Sequence, residues 1–122
     1  MRVVLLVAPL GFCLGMGLLG LIRPAFIPSL FTPNAPDHGA RNEIRAVYGG
    51  FGLGCAGVIV TAMARNTSTT DGMLIALSVA FGSMAIGRIV GLIAEPSRFS
   101  PLWALVILEI GLAAAIGAAA SQ

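Results

Sequence analysis

MLIALSVAFGSMAIGRIVGLIA, residues Met73–Ala94, carries one charge, Arg88, in a run that is otherwise apolar or small. A helix needs roughly 20 mostly apolar residues to cover a hydrocarbon core about 30 Å thick, and this stretch is long enough. Three more stretches of the same kind, Val3–Ile22, Asn42–Ala64 and Pro101–Ala120, fill most of the remaining chain of 122 residues. The composition agrees: 57% of residues are hydrophobic and 10% charged, and the mean hydropathy is +0.97. A soluble domain of this size has no interior large enough to hide so much apolar surface. The fold class that follows is all-α: a four-transmembrane-helix bundle, read as one membrane domain over residues 1–122.

Membrane residence narrows the functions that remain. No segment outside the spans is long enough for a soluble domain, so any chemistry must lie between helices or at the interface. The net charge of +2 comes from seven arginines and five acids, with no lysine. Those arginines are spread over loops and spans and form no stripe of the kind that nucleic acid requires. Arginine-only, alanine- and glycine-rich usage suggests a GC-rich bacterial genome, hence a bacterial inner (plasma) membrane. Met1-Arg2 before an apolar run resembles a signal peptide, but Leu21-Ile22-Arg23-Pro24 offers no small-x-small cleavage site, which favours a retained first span. Arg23, Arg41 and Arg98, with Arg45 just inside, slightly outweigh Arg2, Arg65 and the free amino terminus on the other side. The positive-inside rule then places loops one and three in the cytoplasm and both termini outside.

Prolines and caps punctuate the spans. Arg23-Pro24, Pro28, Pro33 and Pro36 keep a long helix from resuming before Pro36. Within that loop Phe26, Ile27, Leu30 and Phe31 have the spacing of a short amphipathic turn, so Pro24–Phe31 is predicted to lie along the membrane interface. Asp37 is placed to cap the second helix, Thr69 or Thr70 the third. Glu95-Pro96 ends the third, and Ser100-Pro101 opens the fourth with a cap and an N1 proline. Gly20-Leu-Ile-Arg-Pro24 and Gly91-Leu-Ile-Ala-Glu-Pro96 echo each other weakly, as duplicated hairpins or chance would produce.

The charges within the spans are the informative residues. Arg88 lies about 9 Å below the end of span three and Glu109 about 12 Å below the same surface, at 1.5 Å per residue. A connection this short makes the two helices antiparallel neighbours. Each charge alone would cost roughly 2.5–3.5 kcal/mol near mid-membrane, so an ion pair is expected. Helix two enters from the same side with Arg45 and Tyr48 on one face. The expected cluster is therefore Arg45, Tyr48, Arg88 and Glu109, with Glu43 and Asn42 at its rim, and no charge in the interior of the opposite half. Such a cluster either holds the bundle together or forms a one-sided ligand or proton site.

Other patterns carry less. Gly52-x-Gly54-x-x-Gly57 matches a dinucleotide fingerprint but lies inside an apolar span, with no strand before it. Gly50-x-x-x-Gly54 and Gly87-x-x-x-Gly91 have the small-residue spacing of close helix packing. Cys13 and Cys55 are read as buried apolar fillers without metal-ligand spacing. His38 is the only histidine. No cofactor or metal is expected.

Ala40-Arg-Asn-Glu-Ile-Arg-Ala-Val-Tyr-Gly-Gly50, with Gly87-Arg88-Ile-Val-Gly91 and the lone Glu109, resembles the small four-helix bacterial membrane proteins grouped as domain of unknown function 4345. The resemblance covers essentially the whole chain. It implies a DoxX-like four-helix arrangement and no established activity, with Asn42, Glu43, Arg45, Tyr48, Gly49, Gly50, Arg88 and Glu109 as family-type positions. Two functions fit. One is a non-catalytic accessory or stabilising membrane component, with the lipid bilayer and either further copies of itself or a larger membrane complex as partners. The other is a small-molecule or proton-coupled transporter acting as an oligomer through Arg88 and Glu109. An enzyme ranks third, because no nucleophile–base constellation can be assembled.

Overall fold

The computed structural model describes residues 1–31, 34–95 and 100–122, with side chains from 102 onward in the last segment. The regular elements are helical: α1 (Arg2–Ile22), the single turn α2 (Phe26–Ser29), α3 (His38–Ile44), a π-helical turn (Arg45–Gly50), α4 (Phe51–Ala64), α5 (Ser68–Ala94) and α6 (Ser100–Ala120). α3, the π turn and α4 run on without a break. Among the described residues this makes four helices long and apolar enough to cross a membrane.

Each long helix buries a narrow stripe and leaves the rest apolar. On α5 the stripe is Thr70, Leu74, Leu77, Phe81, Ala85 and Leu92; on α6 it is Val106, Glu109, Leu112, Ile116 and Ala119. Steps of mostly three and four residues keep these positions on one face of a 3.6-residue helix. The other faces do not turn polar: Val4 is 75% exposed, Ile93 73% and Ile107 71%. Helices that are apolar all round require hydrocarbon on their outer faces, where internal backbone hydrogen bonds meet the demand that lipid imposes.

The helix ends follow from local chemistry. Arg23 N still reaches Leu19 O at 2.8 Å before Pro24 ends the ladder of α1. Asp37 caps α3 with its carboxylate, which accepts from Ala40 N at 2.7 Å. The cap of α5 is Thr67 rather than Thr69 or Thr70, a turn earlier than the apolar pattern indicates. Thr67 has extended backbone, its hydroxyl accepts from Thr70 N at 3.3 Å, and Thr70 Oγ1 accepts from Thr67 N at 3.0 Å. This reciprocal box makes a polar first turn helical. α5 ends at Ala94, with Glu95 as its C-cap. Pro96, Arg98 and the side chains of Ser100 and Pro101 lie outside the described residues. In the first loop one helical turn forms at α2: Ile27 is buried, while Phe26, Leu30 and Phe31 are exposed.

The chain divides into two compact units, residues 1–8 with 61–122, and residues 9–60. In the first, α5 and α6 pack against each other along their lengths. Ser78 Oγ donates to Ala113 O at 2.8 Å, and a Cβ at Gly117 would come to 3.0 Å from that hydroxyl.

In the second unit α1 lies against the π turn and α4 through glycines. A Cβ on Gly20 would sit 2.6 Å from Gly49 N, and one on Gly52 would sit 3.1 Å from Gly17 Cα. Gly17, Gly20, Gly49 and Gly52 therefore make the close approach, in place of Gly50, Gly54, Gly87 and Gly91. Among the described residues, added Cβ atoms on Gly54, Gly87 and Gly91 meet nothing within 4 Å, and one on Gly50 meets the carbonyl of Arg45 in its own turn. Spacing along one helix cannot show which glycine face meets a neighbour, and here the π turn changes the phase between α3 and α4.

Candidate functional site

Arg88 and Glu109 meet as their depths predict. Arg88 Nε donates to Glu109 Oε1 at 2.7 Å, joining α5 to α6. Glu109 stands in the buried stripe of α6 between Val106 and Leu112 and is 1% exposed. Arg88 remains 27% exposed along its side chain. A hydrogen bond of this length between an arginine and an acid is among the stronger kinds, and pairing spares each group the cost of facing hydrocarbon alone. The second carboxylate oxygen, Oε2, is buried with no hydrogen-bond donor among the described residues.

At the other end of the same unit lies a second ion pair that the sequence reasoning missed. Arg2 Nη1 donates to Asp71 Oδ1 at 2.5 Å and to Asn66 Oδ1 at 2.7 Å, and Nη2 reaches Thr70 Oγ1 at 3.2 Å. Arg2 is 7% exposed and Thr70 3%. Thr70 Oγ1 also lies 3.1 Å from Arg65 O and 2.8 Å from Thr67 O, so one hydroxyl ties the clamp into the α4–α5 turn. The expectation of no charge inside this half is therefore corrected: an arginine is buried there, neutralised by an acid in the first turn of α5. The signal that could have revealed it is the one used for Arg88 and Glu109, opposite charges at matching depth. In the sequence Arg2 reads as a solvated flank of the first apolar run, which hides that signal.

The other residues singled out in the sequence lie in the second unit. Arg45 Nε donates to Leu21 O at 3.4 Å. Leu21 O is among the last four carbonyls of α1, which have no partner within their own helix, so Arg45 caps that end with a cation on its negative pole. Tyr48 is half-buried in the π turn, and Asn42 and Glu43 are exposed on α3. Cys13 and Cys55 are free and buried. Among the described residues no three histidine, cysteine or acidic side chains converge as a metal site would require.

Four helices long and apolar enough to cross a membrane, with two ion pairs among the described residues, define a multi-pass helical membrane protein. The chain belongs to the family described as Domain of unknown function (DUF4345), whose model matches residues 1–120. Neither a curated protein nor a solved structure matches it.

Proposed function

We propose that the chain is a non-catalytic accessory or stabilising component of a membrane. One observation carries this reading. The buried polar side chains among the described residues are Arg2, Thr70 and Glu109, and each belongs to one of the two ion-pair clusters. The polar interior is thus engaged in joining helices. The membrane we propose is the bacterial inner membrane, with loops one and three cytoplasmic, a reading supported by the positions of Arg23, Arg41, Arg45 and Arg98 in the sequence.

Transport of a small molecule or proton by an oligomer is the alternative, and the donorless Glu109 Oε2 is the observation that favours it. A double-mutant cycle in the native host separates the two. Arg88→Met and Glu109→Gln should each lower folded yield, because breaking a buried pair costs about 3–5 kcal/mol. The combined variant should recover part of that loss. Recovery of both fold and cellular phenotype supports the structural reading, whereas recovery of fold with function still lost overturns it in favour of transport.

A further inference from the structure

We infer that the end of the second unit built from the α1 terminus, α2 and α3 is a binding surface for the phosphate headgroup of an anionic glycerophospholipid. The bond from Arg45 Nε to Leu21 O brings that guanidinium to the last turn of α1, two residues before Arg23. Arg41 lies four residues before Arg45, one turn away on the same face, and its Nε reaches Asp37 O at 3.4 Å. Both side chains are held by backbone carbonyls through Nε, which leaves the outer guanidinium nitrogens for another acceptor.

None of these three arginines has a carboxylate within ion-pair distance among the described residues, where the two pairs are Arg2–Asp71 and Arg88–Glu109. The acids close in sequence do not cancel them. Asp37 is engaged on Ala40 N, and counting Arg23, Arg41 and Arg45 against Asp37 and Glu43 leaves one net positive charge.

Depth and surroundings select a lipid over a soluble anion. Arg23 follows the last residue of α1, and Arg41 and Arg45 occupy the opening turns of the second helix long and apolar enough to cross a membrane, ahead of its apolar run. This is the level of headgroup phosphates, which planar guanidinium groups bind in bidentate fashion. Exposed Ile22, Phe26, Leu30 and Phe31 adjoin the arginines in the chain and suit the upper acyl chains. A soluble phosphate would use the cations and leave that apolar rim without a role.

The test uses the full chain in a non-ionic detergent. Native mass spectrometry would count lipids retained during titration with dioleoyl phosphatidylglycerol, dioleoyl phosphatidylcholine or soluble glycerol phosphate. The anionic lipid should bind at least about 10-fold more tightly than the zwitterionic one, and each arginine lost should weaken it about 5-fold, the factor for one cation near an anionic surface. Arg23→Gln and Arg41→Gln are the primary variants, because neither side chain bonds to another helix. Arg45→Gln adds to them if it folds. Equal binding of the two lipids overturns the inference, as does an affinity unchanged in both primary variants. Glycerol phosphate binding as tightly as the lipid overturns it too, since the rim would then contribute nothing.

Discussion

Replacing Gly20 with alanine tests the helix contact on which the second unit depends. The new Cβ would lie 2.6 Å from Gly49 N and 3.0 Å from both Gly49 Cα and Tyr48 C, where ordinary contact begins at 3.4 Å. The obstacle is backbone, so no side chain can swing aside. α1 must retreat by most of an ångström, which also lengthens the Arg45–Leu21 bond beyond its present 3.4 Å. Overpacking of this kind costs about 1–3 kcal/mol, while exchanging glycine for alanine in a helix returns about 1 kcal/mol of intrinsic propensity. Gly54→Ala supplies the reference, because its Cβ meets nothing within 4 Å and it receives the propensity gain alone. The difference between the two variants therefore isolates packing and should be about 1–3 kcal/mol, Gly20→Ala being the less stable. Urea or dodecyl sulfate unfolding in mixed micelles, followed by far-UV circular dichroism, would measure it. Equal stabilities of the two variants would refute the proposed close approach.

Two further outcomes follow from the first unit. Arg2→Gln and Asp71→Asn should each destabilise the fold more than their combination does, since either alone leaves a charge without its partner; additive losses in a thermal melt would count against the clamp. Thr67→Ala should cost about 0.5–2 kcal/mol through loss of the α5 cap, whereas Thr69→Ala, which the apolar pattern marks as an equal candidate, should fall within ~0.5 kcal/mol of the parent.

The architecture was legible because hydrocarbon thickness and apolar run length are linked by helix geometry. Arg88 and Glu109 were legible for a related reason. Depth in a membrane can be counted in residues, and a short loop forces neighbouring helices. Facing was less accessible. The sequence contains several small-residue pairs at helical spacing, and spacing alone favours Gly50–Gly54 or Gly87–Gly91 as much as Gly20 or Gly49. The choice depends on which face of α1 meets which face of the π turn, information that resides in the packing of two helices. Arg2 shows a different gap. A charge flanking an apolar run is ordinarily solvated, and only the placement of Asn66, Thr70 and Asp71 around it reveals a buried cation.

The two ion pairs also differ in when each can close during synthesis. Glu109 follows Arg88 by 21 residues, so at about 5–20 residues per second the two leave the ribosome roughly 1–4 s apart. That hairpin can enter the bilayer with its charges already matched. Arg2 precedes Asp71 by 69 residues, which at the same rate is a wait of roughly 3–14 s. Throughout that interval the Arg2 side chain lacks the carboxylate that neutralises it in the fold. The clamp is thus a late event in biogenesis: the opening turn of α1 is locked only once the third span has begun to emerge.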